Sequence, residues 1–85
     1  MLMHSVYILR SATTHKFYIG CTSRLKERLA EHQRGQTAST RGRGPWLLVY
    51  QEQFQARTEA RQRERQLKSC KSRQLLLQLI EAAKD

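Results

Sequence analysis

A carboxylate on the apolar side of a strongly basic segment is the first feature of this sequence with chemical consequences. Ala60, Glu64 and Leu67 are spaced i, i+4, i+7, so on a helix they share one face. Arg57, Arg61, Arg65 and Lys68 fall on a neighbouring stripe. Like charges at i, i+4 weaken a helix by about 0.2–0.5 kcal/mol per pair, so repeating them needs another benefit. Contact with phosphates is the candidate. A carboxylate beside such a stripe can also hold Mg²⁺ or Mn²⁺ at a phosphate, because hard cations take oxygen ligands. The plainer alternative is that Glu64 pairs with Arg61 or Lys68 on a solvated face, and from this helix alone it is the stronger reading. Glu59 and Arg63, also i, i+4, have the form of an ordinary surface pair.

A second cluster lies in the first half of the chain. Arg28 and His32 are i, i+4 and flank a Leu25/Leu29 stripe, with Glu27 and Glu31 assigned to the opposite face. An arginine at the core edge can clamp a phosphate and stabilise charge that builds in a transition state. A histidine beside it can move protons near neutral pH. The competing reading is a surface arginine and a histidine satisfied by backbone. Tyr7 and Tyr18 pose the same choice. They either fill a core with their hydroxyls at its edge, or orient an attacking water and take its proton. The second role needs help from a metal or cation, since a free phenol has a pKa of about 10.

These side chains need elements to hold them. Val6–Leu9 and Phe17–Ile19 are rich in aromatic and β-branched residues and read as strands. The polar stretch Arg10–Lys16 between them has hairpin length, and alternation places Val6 and Ile8 on one face and Tyr7 on the other. Thr22-Ser23 is suited to cap a helix carrying Leu25 and Leu29, which Gly35 ends. Gln36–Pro45 reads as a loop, with charge at Arg41 and Arg43, and Trp46–Tyr50 as a strand extending to Phe54. From Arg57 onward there is neither Gly nor Pro, which predicts a helix to about Lys68. A joint at Ser69–Ser72 follows, and then a helix with Leu75, Leu76, Leu79, Ile80 and Ala83 at helical spacing. The order is β-β-α-β-α-α, an α+β class, in one domain over residues 1–85.

Composition bounds what such a domain can do. Sixteen Lys/Arg against seven Asp/Glu give a formal charge of +9. That balance favours a polyanion, through release of counterions from phosphates, and DNA is the expected partner. Arg41, Arg43, Arg57, Arg61, Arg65 and Lys68 are the candidate phosphate contacts. No apolar run approaches the roughly 20 residues of a membrane span, and the N-terminus has no signal-peptide pattern. No membrane role is expected. Cys21 and Cys70 form no C-x-x-C pair, and with His4, His15 and His32 they lack the close spacing of a structural zinc site. Reduced thiols in a cytoplasmic protein are expected, as a monomer or as a weak homodimer through the last helix. A protein-interaction adaptor using that Leu75–Ala83 helix is a further reading.

The ordered set of these pieces resembles the GIY-YIG nuclease superfamily. The matching segments are Val6–Leu9, Tyr18-Ile19-Gly20, Arg28–His32, Pro45–Tyr50 and Glu64–Lys68, which span nearly the whole chain. They look most like the small single-domain bacterial members. The resemblance implies a three-stranded antiparallel sheet flanked by helices and a divalent-metal-dependent endonuclease acting on DNA, in repair or processing. By the same resemblance Tyr7 and Tyr18 organise the attacking water, and Arg28 binds the scissile phosphate. His32 assists proton transfer, and Glu64 is the single metal ligand, for Mg²⁺ or Mn²⁺. Gly20 is expected to permit close approach of the strand to a neighbouring element. A non-catalytic nucleic-acid-binding module keeping the fold is the alternative. Two departures stand out: Ser5-Val6 replaces the Gly and Ile of the first motif, and Ser69-Cys70-Lys71 replaces a Trp-containing joint. These 85 residues leave no room for an added DNA-recognition domain, so specificity for a long target sequence is not expected.

Overall fold

The period-two pattern of the first strand decides how the layers are arranged. The computed structural model describes residues 3–37, 40–70 and 72–83. Among them the elements run β1 (His4–Ser11), β2 (Phe17–Thr22), α1 (Leu25–Gln33), β3 (Trp46–Phe54), α2 (Arg57–Ser69) and α3 (Arg73–Ala82). The three strands form one antiparallel sheet in the order β2-β1-β3. The class is therefore α+β with the expected β-β-α-β-α-α order. As the central strand, β1 is buried on both faces. Val6 and Ile8 join Ile19, Ala60, Leu67, Leu76 and Ile80 in one core. Tyr7 and Leu9 face the other way, into a smaller core with Trp46, Tyr18, Leu25 and Leu29. The helices α2 and α3 thus cover one face of the sheet and α1 the other.

Local details sharpen or correct the sequence reading. The strand from Trp46 does extend to Phe54, and Val49 is an extra residue where Ile8 faces Tyr50 and Leu9 faces Leu48. Such a bulge lets one strand turn its side chains between layers. Neither Thr22 nor Ser23 caps α1: Arg24 is the N-cap without a side-chain cap bond. The Thr22 hydroxyl instead accepts from the Arg24 N–H at 3.0 Å, making a turn ahead of the helix. At the other end Gly35, with φ +75°, closes α1 as expected. The N–H groups of Gly35 and Gln36 return to the carbonyls of His32 and Glu31, a Schellman closure that reverses the chain just past His32.

Two charge pairs differ from expectation. Glu31 is not on the face opposite Arg28, since the two meet at 2.9 Å as an i, i+3 pair. Arg63 reaches not Glu59 but Glu52 on β3, with Nε and one NH2 each 3.0 Å from a carboxylate oxygen. The tertiary partner offers a bidentate geometry that a helical neighbour cannot match. The apolar stripe of α3 is also largely spent inside the protein. Leu76 and Ile80 are buried in the core, which leaves Leu75 and Leu77 as its exposed leucines. Ser72 caps this helix by accepting from the Leu75 N–H, so the joint lies where expected; Lys71 falls outside the described residues. No helix among the described residues is long and apolar enough to cross a membrane.

Candidate active site

The tyrosine of β1 sits where it does because β2 carries a glycine opposite it. Tyr7 pairs with Gly20 across the antiparallel ladder, and its ring lies over that residue. A Cβ on Gly20 would come within 2.4 Å of Tyr7 Oη. The close approach expected at Gly20 is made by a side chain of the neighbouring strand, the Tyr7 phenol. Laid across β2, the phenol meets α1, where Tyr7 Oη and His32 Nε2 are 3.0 Å apart. His32 is only 2% exposed, and its other ring nitrogen lies 2.9 Å from Thr40 Oγ1. Both nitrogens of this buried histidine are thus engaged by side chains, where the plainer sequence reading had backbone partners. Tyr18, two residues before Gly20 on the same face, packs its ring 4.8 Å from His32 and 6.4 Å from Tyr7.

Arg28 lies one helical turn before His32 and is 39% exposed at its side chain. It holds Glu31, and its charge acts on the Tyr7 phenol. These surroundings set the proton chemistry. Burial, then the neighbouring Tyr18, pushes the Tyr7 phenol up to about 12, against the pull of the Arg28 charge. Burial, then the same Arg28 charge, holds His32 below its ordinary value, with Glu31 opposing. At neutral pH the imidazole is consequently uncharged and keeps one lone pair. A neutral phenol is thereby hydrogen-bonded to a neutral base beside a fixed cation.

Glu64 approaches from the other side of β2. Its charge is felt at both the Tyr7 phenol and the Cys21 thiol. Burial first, then Glu64, raises that thiol, while Arg61, Arg57 and Lys68 lower it. Cys21 therefore marks where the two halves of the site meet. On one side of it a groove is lined by Thr22, Arg24, Glu27, Arg28 and Glu31. On the other a second groove is lined by His4, Thr22, Ser23, Arg57 and Arg61. The two grooves share Cys21 and Thr22 and make a path over the end of β2. Arg24 and Arg28, balanced by Glu27 and Glu31, line one bank, and Arg57 and Arg61 line the other.

The sequence-predicted residues are distributed unevenly along this path. Tyr7, Tyr18, Arg28 and His32 come together on the α1 face, with Glu64, Arg57, Arg61 and Lys68 across the β2 edge. Arg65 lines a separate hollow along α2 with Arg57, Thr58, Arg61 and Gln62. Arg41 and Arg43 line neither groove. Arg41 donates to the Gly35 carbonyl at 2.8 Å, and the Arg43 carbonyl is bound by the Ser11 and Thr13 hydroxyls. Residue-by-residue reasoning missed Arg24, whose position one turn before Arg28 was the available signal. It also missed Thr40, for which a loop sequence offers none.

Glu64 is 16% exposed and already meets Lys68 at 3.2 Å and Arg61 at 3.7 Å. The described residues contain no group of three or more His, Cys, Asp or Glu that could enclose a metal. A lone carboxylate nonetheless suits Mg²⁺, which is commonly held by one or two carboxylates, waters and substrate phosphates. The donor present is a hard carboxylate oxygen beside the Arg61 and Lys68 cations, which suits an ion shared with a phosphate.

A fold of this order, with Tyr7, His32 and Arg28 clustered on one face of its sheet, defines a class. The chain belongs to the GIY-YIG family: the model of the GIY-YIG catalytic domain matches residues 3–76. Its relatives include small bacterial and archaeal proteins of the UPF0213 group. It is 40% identical to a UPF0213 protein of Staphylococcus haemolyticus over 82 residues, 95% of this chain and 98% of that one. With a UPF0213 protein of Natronomonas pharaonis it shares 43% identity over 67 residues, 78% of each chain. The solution structure of a UPF0213 protein from Bacillus halodurans has the same fold. Its TM-score is 0.62 at 34% identity, covering 95% of this chain and 85% of that one.

Proposed function

We propose that the protein is a divalent-metal-dependent endonuclease that hydrolyses phosphodiester bonds in DNA, acting on DNA structure or single strands in repair or processing. The observation that carries this reading is the buried pair of Tyr7 and His32 at 3.0 Å, placed beside Arg28. A phenol paired with a neutral imidazole beside a cation is the arrangement that a proton relay to an attacking water needs. In the reaction Tyr7 accepts a proton from the attacking water as its own proton passes to His32 Nε2. The water oxygen bonds to phosphorus, and the phosphorus–oxygen bond to the leaving sugar breaks. The leaving oxygen is protonated from solvent, and His32 returns its proton there. Arg28 holds a non-bridging oxygen and offsets the charge that builds on it. Tyr18 keeps the Tyr7 and His32 rings in register. Glu64 is the residue that would hold Mg²⁺ or Mn²⁺, which supplies Lewis-acid stabilisation of the phosphate when bound. Arg24, Arg57 and Arg61 take the flanking phosphates, with Arg65 and Lys68 continuing along α2. Arg41 and Arg43 stand outside this path. Two free thiols, Cys21 and Cys70, accord with a reducing, cytoplasmic setting.

The deciding experiment presents single-stranded, duplex, flap and branched DNAs with each metal. Glu64→Ala is expected to abolish metal-dependent cleavage while leaving DNA binding largely intact. Arg28→Ala is expected to reduce cleavage by about 10²–10³-fold, the usual cost of losing one transition-state donor. Cleavage surviving in both variants overturns the assignment. The second reading, a non-catalytic nucleic-acid-binding module, is favoured by the ion pairs that Glu64 already makes with Lys68 and Arg61. It predicts binding to these DNAs with no cleavage of any.

A further inference from the structure

The loop after α1 contributes a residue to the site that no motif names. Thr40 is 1% exposed, and its hydroxyl lies 2.9 Å from His32 Nδ1. That hydroxyl also reaches the Thr37 carbonyl at 3.4 Å. Its backbone is held independently of the side chain. The Thr40 N–H donates to the Thr37 carbonyl at 3.1 Å, and the Trp46 indole N–H donates to the Thr40 carbonyl at 3.0 Å.

The direction of the hydrogen bonds through His32 follows from the two ends of the chain. At one end the Arg28 cation lies beside the Tyr7 phenol and favours its oxygen rather than its proton on that side. The phenol proton is then turned toward His32 Nε2, which must present its lone pair. At the other end the Thr37 carbonyl can only accept, so it draws the Thr40 hydroxyl proton. The Thr40 oxygen is left as an acceptor toward Nδ1, which must carry the imidazole proton. The two ends agree on one tautomer. The opposite one would leave Nε2 protonated against Tyr7 and deny the phenol its base.

We propose that Thr40 is a positioning residue that locks His32 in the Nδ1–H tautomer, so that Nε2 stands open to the Tyr7 proton. This rests on the nuclease reading for its catalytic meaning, but the tautomer itself does not. The chain runs Tyr7 O–H to Nε2, Nδ1–H to Thr40 Oγ1, and Thr40 O–H to the Thr37 carbonyl. The Thr37 carbonyl thus orients His32 through one intervening side chain, the Thr40 hydroxyl.

The test is ¹⁵N NMR of the imidazole side chains at neutral pH in the full chain, with the His32 resonances assigned by their loss in His32→Gln. Wild type and Thr40→Ser are expected to show the Nδ1-protonated tautomer. Thr40→Val, which keeps the shape and the backbone bonds but removes the hydroxyl, is expected to shift His32 toward the Nε2–H form. In cleavage assays Thr40→Val is expected to lower kcat by at least about tenfold with KM little changed, and Thr40→Ser to restore it. An Nε2–H tautomer in wild type overturns the proposal, as does a Thr40→Val protein with unchanged tautomer. If Thr40→Val does not fold, the wild-type and Thr40→Ser spectra still decide. A wild type that shows the Nδ1–H tautomer but cleaves none of the DNA panel rejects the nuclease reading and leaves the tautomer lock standing.

Discussion

At the scale of single residues, the site depends on a side chain that is missing. Gly20 has no Cβ, and the Tyr7 phenol occupies the space where one would be, within 2.4 Å. Gly20→Ala is therefore expected to push the phenol away from His32 and to destabilise the fold by about 1–3 kcal/mol, the usual range for overpacking. Urea denaturation measures the loss of stability, and cleavage of the DNA panel measures the effect on the site. A Gly20→Ala protein with wild-type midpoint and activity would show that Tyr7 is not held over β2. The types of the candidate site residues were legible in the sequence, because Tyr, Arg, His and Glu each have a narrow chemical repertoire. Their partners were not. Glu31 was assigned to the wrong side of Arg28, and Thr40 had no signal at all, since its role depends on a chain reversal at Gly35 that brings a loop over His32.

At the scale of elements, the site is built across two faces of one sheet, so it depends on how firmly α2 is fixed to that sheet. Glu52 on β3 is the anchor. Burial alone would raise its carboxyl, but hydrogen bonds from Arg63 and Tyr50 outweigh this and hold it below the ordinary range. Arg63 and Glu52 are 31% and 22% exposed, so water screens the pair only in part. Arg63→Ala is expected to cost about 1 kcal/mol, at the upper end for pairs that are not fully buried. Glu59→Ala is expected to stay within about 0.5 kcal/mol, as for other surface changes. Thermal or urea unfolding distinguishes the two, and a larger loss from Glu59→Ala would restore the helical pair expected from spacing. Periodicity told where α2 runs but not which of its charges cross to another element.

At the scale of the whole molecule, the charge of +9 is distributed rather than uniform. Arg24 and Arg28 line one bank of the path over β2, and Arg57 and Arg61 line the other. If these four neutralise four phosphates of a single strand, the slope of log K against log salt is about −3. The double variant Arg57→Ala/Arg61→Ala is expected to flatten it by about 1.4. A double variant of Arg41 and Arg43, which line neither groove, is expected to change it by less than half of that. Fluorescence anisotropy over a salt series measures both. An equal effect from the two double variants would mean that the strand does not follow the β2 path.

The sequence by itself determined the order of elements, the apolar faces of β1 and the identity of the candidate site side chains. Those properties are local: strand alternation, helical spacing and turn residues are each written in a few consecutive positions. It also determined the sign of the charge, which is what points to a polyanion. Only the tertiary structure decided which charges meet, that Tyr7 lies across Gly20, and that Thr40 closes on His32. Each of these joins residues distant along the chain, through a strand register or a loop reversal that no window of sequence contains.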